Sequence, residues 1–330
     1  MRDHGGDIGA AARRFGGAPE AWLDLSTGIN RVPWPMPALP AAVLRDLPTA
    51  AATGACAAAA GAAYGAAGAA CLPVAGAQAA IGLVARLRPP GRVGVVAPTY
   101  NEHAAAFAAA GWQVVEVPDI AALAGFDAAV IVNPNNPDGR RWPTDAVLAL
   151  GARNGFVVVD ESFADAEPET SICPHLTGAP GFVVLRSFGK FYGLAGLRLG
   201  FALGAATEIA RLAALAGPWA VNGPALHAGR LALGDAAWTA ATRTRLAADA
   251  DRLDGLAGGA GWRLVGGTRL FRLYDTGDAE AAQAQLGRRQ IWSRAFPYSS
   301  TWLRLGLPGT EAEWSRLAAA LCPASSRRSR

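Results

Sequence analysis

The sequence is poor in charge and contains no long apolar run. Of its 330 residues, 17% are charged and 52% are hydrophobic, which excludes an intrinsically disordered chain and predicts a sizeable buried core. The uncharged stretch 49–85 is mostly alanine and glycine, without the run of large apolar residues that a membrane span requires. Residues 1–15 lack the apolar segment of a secretory signal, so we expect a cytoplasmic protein.

Features of nucleic-acid-binding and metal-binding proteins are also scarce. The net charge is +4, and Arg327, Arg328 and Arg330 of the C-terminal tail, which we interpret as a solvated end, contribute three of those charges. No basic stripe interleaved with aromatic residues remains, so we expect no nucleic-acid partner. The four cysteines form no CxxC pair and have no histidine at metal-ligand spacing, which predicts reduced thiols and no metal site.

Lysine is nearly absent. Of the 30 lysine and arginine residues, Lys190 is the only lysine. Arginine cannot replace lysine where an amine must lose its proton, because the guanidinium group stays charged. Composition alone leaves open whether Lys190 carries chemistry or is an incidental surface residue.

Short apolar runs alternate with alanine-rich helical segments in the first two thirds of the chain. Five such runs predict strands at 92–97, 128–132, 156–159, 182–185 and 199–203. Continuous apolar runs of this length are typical of parallel strands buried on both faces, and segments such as 102–110 and 145–153 can form the crossover helices. We therefore expect an α/β fold with a mostly parallel central sheet.

The pattern changes near residue 217. Helical patterns over 225–233 and 238–256 precede short predicted strands at 263–265, 269–273, 291–294 and 302–305, with turns at Gly266-Gly267 and Pro297. We predict a large domain over residues 36–216. Residues 217–330 would form a smaller α+β domain, together with an N-terminal arm over residues 1–35.

Polar residues follow the predicted strands at the point where each strand ends. They are Tyr100, Asn133 to Asn136, Asp160 and Ser187 to Lys190. Because ligands bind at the carboxyl ends of the strands in such sheets, we expect these residues to share one site.

The segment SFGKFYGLAGLRLG, residues 187–200, resembles the lysine motif of the fold-type I pyridoxal-phosphate enzymes, the aspartate aminotransferase superfamily. The resemblance implies the fold of that superfamily and pyridoxal 5'-phosphate as cofactor. It further implies that Lys190 holds the cofactor covalently, with Ser187 and Arg198 as ligands of its phosphate. An arginine suits a phosphate because its fork donates two parallel hydrogen bonds.

Four further motifs extend the resemblance. VNPNNPDG (132–139) implies that Asn136 binds the ring hydroxyl, and VVVDES (157–162) implies that Asp160 pairs with the ring nitrogen and makes the ring an electron sink. LPVAGAQAAIGL (72–83) has a glycine turn before a helix N-terminus, a good phosphate site. The remaining implied cofactor ligands are Gly76, Ala77, Gln78 and, from the motif PTYN, the ring-stacking Tyr100. In this superfamily the active site usually lies at a dimer interface, which implies a homodimer.

The two ends of the chain narrow the reaction. The opening HGG, the segment LDLSTGIN and the segment PWAVNGPA (218–225) resemble the L-threonine-O-3-phosphate decarboxylase family of cobalamin biosynthesis. In RAFPY (294–298) and WLRLGL (302–307), Arg304 matches the arginine that holds the substrate α-carboxylate, and Arg294 a second arginine near the substrate. The implied substrate-binding residues are His4, Gly5, Asn30, Arg294 and Arg304.

The resemblance thus implies decarboxylation of L-threonine O-3-phosphate to (R)-1-amino-2-propanol O-2-phosphate and CO2. Asp160 and Lys190 would be the catalytic residues. Two alternatives stay open. A histidinol-phosphate-type aminotransferase has nearly the same residue inventory, and a non-enzymatic binding module would keep the fold without needing Lys190.

Overall fold

The computed structural model describes residues 4–177 and 179–322, which form two units. The large unit comprises residues 33–136 and 140–241, and the small unit comprises the described residues within 1–32, 137–139 and 242–330. Residues 217–241 belong to the large unit by their contacts, whereas the sequence pattern assigned them to the small domain. The division of the chain into domains at residues 36 and 217 stays a prediction. The arginines of the C-terminal tail lie outside the described residues.

Strands and helices alternate through most of the chain. The strands are β1 (Leu23–Asp24), β2 (Ala70–Val74), β3 (Arg92–Val96), β4 (Gln113–Val117), β5 (Ala128–Val132), β6 (Phe156–Asp160), β7 (Phe182–Ser187), β8 (Gly200–Gly204), β9 (Arg263–Thr268), β10 (Phe271–Asp275), β11 (Ile291–Trp292), β12 (Arg294–Phe296) and β13 (Ser299–Gly306). The α-helices are α1 (Ile8–Phe15), α2 (Ala41–Arg45), α3 (Ala50–Ala63), α4 (Ala77–Val84), α5 (Glu102–Ala109), α6 (Thr144–Leu148), α7 (Phe188–Phe191), α8 (Ala206–Ala216), α9 (Gly223–Leu233), α10 (Ala236–Gly259), α11 (Ala279–Gly287) and α12 (Glu311–Leu321). Among the described helices, none combines the length and the apolarity needed to cross a bilayer.

A seven-stranded sheet forms the centre of the large unit, in the order β2-β8-β7-β6-β5-β3-β4. The five strands from β7 to β4 are parallel to one another, and β8 runs antiparallel to both β7 and β2. Every residue of β5, β6 and β8 is buried, as expected for apolar strands covered on both faces. The predicted mostly parallel sheet is confirmed.

The sequence pattern located the inner strands better than the edge. β4 was not predicted, because its sequence QVVEV has polar residues at its first and fourth positions. Only its last residue is buried. The predicted helix 145–153 is a five-residue helix, α6, followed by a 3-10 turn over Ala149–Ala152.

The small unit contains an antiparallel sheet of order β12-β13-β10-β9 and a parallel pair of β1 with β11. The predicted strand at 291–294 is interrupted at Ser293, so that β11 and β12 belong to different sheets. The predicted turn at Gly266-Gly267 is wrong, because both glycines lie inside β9. A Cβ atom at Gly266 would lie 2.1 Å from the carbonyl oxygen of Asp138, so glycine is needed there for the close approach of that backbone rather than for a turn.

A buried ion-pair cluster joins the ends of β6 and β7. Glu161 accepts hydrogen bonds from Arg186 Nη1 at 2.7 Å and from Ser171 Oγ at 2.5 Å, and Arg186 Nη2 lies 3.3 Å from Asp165 Oδ2. Burial by itself would lower the pKa of Arg186, but Asp165 and Glu161 hold that pKa well above its usual value. The cluster therefore keeps full charges next to the strand ends that carry Asp160 and Ser187.

We expect Arg186→Met to lower the free energy of unfolding by about 3–5 kcal/mol, because it leaves two buried carboxylates without their cation. Arg45→Met is the matched control, since its solvent-exposed pair with Asp46 should contribute little to stability. Urea unfolding followed by circular dichroism measures both variants. Equal effects in the two variants would contradict the assigned role of the cluster.

Candidate active site

A cavity of about 200 Å³ opens in the large unit where the parallel strands end. Nine predicted residues line it, and they come from six separate segments: Gly76, Ala77, Gln78, Tyr100, Asn136, Asp160, Ser187, Lys190 and Arg198. The predicted convergence of the strand ends is therefore observed for Tyr100, Asn136, Asp160, Ser187 and Lys190, whereas Asn133 and Asn135 are not part of the lining. The individual role of each residue stays a prediction.

Lys190 lies on α7, the single turn that directly follows β7. Its side chain is half-buried in the cavity, and its Nζ atom lies 5.8 Å from the centre of the buried Phe163 ring. The only lysine of the chain is therefore a cavity residue, which argues against an incidental surface position.

Asp160 is the last residue of β6 and is 2% exposed. Its Oδ1 atom accepts hydrogen bonds from the backbone N–H of Ser162 at 2.9 Å and from the Ser162 hydroxyl at 2.5 Å, and its Oδ2 atom pairs with His103 Nε2 at 2.8 Å. Burial opposes ionisation, but the hydrogen bond and charge of His103, together with Ser162, lower the pKa of Asp160 below its usual value. A carboxylate accepts about four hydrogen bonds, so one position remains for an N–H group of a ligand.

His103 is a site residue that the sequence analysis missed. It is fully buried on the first turn of α5, its Nδ1 atom has no hydrogen-bond partner among the described residues, and its ring stands edge-on to Tyr100. The available signal was its place three residues after Tyr100 in a chain with four histidines. Nothing in the sequence links it to Asp160, because the two are 57 positions apart, with His103 on helix α5 and Asp160 at the end of β6.

The opposite side of the cavity is suited to an anion. Gly76 has a φ angle of +80° and precedes α4, and it lines the cavity together with the first two residues of that helix, Ala77 and Gln78. A Cβ atom at Gly76 would lie 2.8 Å from Nη2 of Arg198, so glycine at this position lets the guanidinium approach the helix N-terminus. A helix N-terminus together with an arginine fork is a phosphate-binding arrangement.

A chain of polar side chains fixes Tyr100 at the cavity wall. The Tyr100 hydroxyl donates to Gln78 Oε1 at 3.1 Å, and Gln78 Nε2 donates to Glu102 Oε2 at 3.0 Å. The Tyr100 ring is therefore held at the cavity wall by its hydroxyl.

The predicted substrate-binding residues belong to the small unit. His4, Gly5 and Arg294 line a second cavity, of about 770 Å³, whereas Asn30 and Arg304 are not part of its lining. The Oδ1 atom of buried Asn30 accepts from Arg245 Nη2 at 2.7 Å. Arg304 is 7% exposed and donates from Nη2 to the carbonyl oxygen of Ser26 at 2.8 Å. Burial, assisted by the charge of Arg294, lowers the pKa of Arg304 to about 10, so it remains a cation at neutral pH.

The depressed pKa of Asp160 predicts a specific loss of stability in acid. A carboxyl group with a folded-state pKa below its unfolded value stabilises the protein above the unfolded pKa of about 3.9, and this stabilisation is lost as the pH falls through the folded value. Urea unfolding between pH 3 and 7 measures this effect. As the pH falls, the wild type should lose stability relative to Asp160→Asn.

His103→Leu is the informative partner variant for this measurement. It removes a group that lowers the pKa of Asp160, so acid destabilisation should begin at a higher pH than in the wild type. A stability difference that does not depend on pH would contradict the ionised state of the carboxyl group.

Comparison with known proteins agrees with this geometry. The family model "Aminotransferase class I and II" matches residues 57–321. Threonine-phosphate decarboxylases from Sinorhizobium sp and Pseudomonas aeruginosa are each 44% identical, over 96% and 97% of this chain and 97% of their own length. The crystal structure of histidinol-phosphate aminotransferase from Sinorhizobium meliloti in complex with pyridoxal-5'-phosphate superposes with a TM-score of 0.81 at 21% identity, covering 97% of this chain and 94% of that one. The predicted fold class is thus confirmed, and the chain belongs to the class I and II aminotransferase family.

Proposed function

We propose that the protein is a pyridoxal-phosphate-dependent decarboxylase of L-threonine O-3-phosphate. The observation that carries the proposal is the position of the only lysine in a cavity that also contains a buried carboxylate and an arginine beside a helix N-terminus. The 44% identity to two threonine-phosphate decarboxylases over nearly their whole length supports the substrate and the reaction.

The cavity residues fit pyridoxal 5'-phosphate. Lys190 would hold the cofactor covalently, the open position on Asp160 would accept its ring N–H, and Ser187, Arg198 and the start of α4 would bind its phosphate. The remaining contacts would come from Tyr100 against the ring face and Asn136 at the ring hydroxyl. When bound, pyridoxal phosphate accepts the electron pair that a breaking bond leaves at the substrate Cα atom.

The protein groups would control charge and protons around that chemistry. His103 and Ser162 lower the pKa of Asp160, and an anion there would keep the ring nitrogen of a bound cofactor protonated. When the Cα–carboxylate bond breaks and CO2 leaves, the Lys190 amine would deliver the proton that replaces it at Cα.

The small unit would supply the groups that bind the two anionic parts of the substrate. Arg304 is a buried cation suited to the carboxylate, and His4, Gly5 and Arg294 border a cavity suited to the phosphate. Asn30, whose oxygen accepts from Arg245, would support this part of the small unit.

The decisive test is incubation of the loaded protein with L-threonine O-3-phosphate. We expect CO2 release without a keto-acid acceptor. Turnover only in the presence of a keto acid would instead identify an aminotransferase of the histidinol-phosphate type, a reading that membership of the aminotransferase family favours. Absence of both reactions would leave a binding module.

Lys190→Ala should lower kcat by at least about a thousandfold, because it removes the proposed proton donor. It should also abolish the absorbance band of the lysine-bound cofactor. Lys190→Arg is the matched control: it keeps the positive charge but has no amine that can lose a proton, and we expect the same loss. Substantial activity in either variant would overturn the proposal.

We further propose a homodimer in the cytoplasm. Leu44 and Leu47, beside α2, are 68% and 65% exposed, an apolar surface that a second copy would cover. Sedimentation velocity should give about twice the chain mass of 33.8 kDa, and Leu44→Glu with Leu47→Glu should shift the protein toward the monomer. A monomeric wild type would refute the dimer while leaving the reaction untouched.

A further inference from the structure

Ser26 of the small unit connects three separate segments. It is completely buried, and its carbonyl oxygen accepts from Arg304 Nη2 at 2.8 Å. Its hydroxyl oxygen accepts from the backbone N–H of Gly6 at 2.7 Å and lies 2.6 Å from Oδ1 of Asp24. The backbone N–H of Ser26 donates to the same Asp24 oxygen at 2.8 Å.

The direction of these hydrogen bonds follows from proton counting. The Gly6 backbone nitrogen can only donate and a carboxylate can only accept, whereas a hydroxyl has one proton and two lone pairs. The Ser26 hydroxyl must therefore accept from Gly6 and donate to Asp24. A side chain without a hydroxyl cannot fill both roles at this distance.

The same contacts set the N-terminal segment. A Cβ atom at Gly5 would lie 2.6 Å from the Ser26 carbonyl oxygen and 2.9 Å from its hydroxyl oxygen, so the segment passes Ser26 at a distance that only glycine allows. His4 and Gly5, which precede the Gly6 contact, border the cavity that also includes Arg294. Loss of the Ser26 hydroxyl would remove the hydrogen bond that holds the backbone of Gly6, next to the cavity residues His4 and Gly5.

Arg304 depends on the same residue from the other side. Its guanidinium is buried, so few hydrogen-bond acceptors are within its reach. One of them is the Ser26 carbonyl oxygen, which accepts from Nη2. Asp24 contributes a negative charge that favours the charged form of this arginine. Asp24 and Ser26 thus act on the N-terminal segment and on Arg304 together.

We propose that Ser26, with Asp24 as its acceptor, is a positioning residue that aligns the His4–Gly6 segment and the Arg304 guanidinium for binding a substrate with two anionic groups. The inference rests on the proposed function, which assigns substrate binding to these two elements. Ser26 does not itself touch the reacting atoms.

The segment should remain folded without the hydroxyl. The backbone of β1 pairs with β11, where Leu25 N donates to the Trp292 carbonyl oxygen at 2.8 Å, and the N–H of Gly306 donates to the Leu25 carbonyl oxygen at 2.7 Å. These bonds do not involve the Ser26 side chain. Ser26→Ala therefore tests positioning rather than folding.

The experiment measures two quantities on Ser26→Ala. With L-threonine O-3-phosphate we expect KM to rise about tenfold while kcat changes by less than about twofold, the pattern of lost binding. Hydrogen exchange followed by mass spectrometry should show faster exchange in the peptide that contains Gly6, a readout that needs no turnover. Asp24→Ala should produce both effects, and the double variant should be no worse than Asp24→Ala alone, because the Ser26 hydroxyl acts through its hydrogen bond to Asp24.

Thr310→Ala is the matched control. It removes a hydroxyl that accepts a backbone N–H at the start of α12 in the same unit, and it should leave KM unchanged. An unchanged KM in Ser26→Ala, or an equal rise of KM in Thr310→Ala, overturns the inference. Turnover by the wild type upholds the proposed function independently of that result. If the wild type does not turn over, calorimetric binding of threonine phosphate in the Lys190→Ala background replaces KM: weaker binding caused by Ser26→Ala supports the inference, and equal binding overturns it.

Discussion

The site depends on keeping a buried carboxylate ionised at the end of β6. Burial in a low-dielectric environment opposes the charge of Asp160, and three hydrogen bonds, two from Ser162 and one from His103, reverse that effect. The strands that flank β6 are buried on both faces, so the backbone that carries Asp160 has little freedom to move the carboxylate toward water. An anion held this firmly is a suitable partner for a protonated ring nitrogen, and the chemistry proposed for Lys190 is useful only beside it.

The same sheet explains why much of the site could be predicted. Apolar runs located β5, β6 and β7, and since parallel strands end at one edge, the polar residues after them had to share a region. Lys190 was conspicuous because arginine supplies every other basic side chain of its class. His103 could not be found this way, since it lies on helix α5 and its partner lies 57 positions away at the end of β6. The role of Ser26 escaped for a related reason: the contacts to Gly6 and Arg304 span 20 and 278 positions.

The errors in the predicted fold share a cause. β4 and β9 are sheet edges where burial is incomplete, so their sequences lack a continuous apolar run. In β9, Gly266 allows the close passage of the backbone at Asp138 and Gly267 the close approach of Phe271, which a pattern of residue types cannot distinguish from a turn. The local sequence pattern thus indicates how exposed a segment is to solvent. Contacts with backbone that is distant in the sequence are seen only in the folded structure.

Enzymes of one family can break different bonds. Under the proposed function, the choice of bond would come from the groups that orient the substrate. A substrate whose carboxylate is held by a buried arginine and whose phosphate is held elsewhere has few orientations open to it, and the bond at Cα that is aligned for cleavage follows from the placement of those two anchors. Arg304 is buried, and its guanidinium is fixed by a backbone oxygen that is itself part of a rigid hydrogen-bonded segment. Such an arginine needs little rearrangement when a carboxylate binds. It would therefore hold the carboxylate in one position rather than adapt to different substrates. Under the proposed function, the preference for one reaction over another would therefore depend on how accurately residues such as Arg304 hold the substrate.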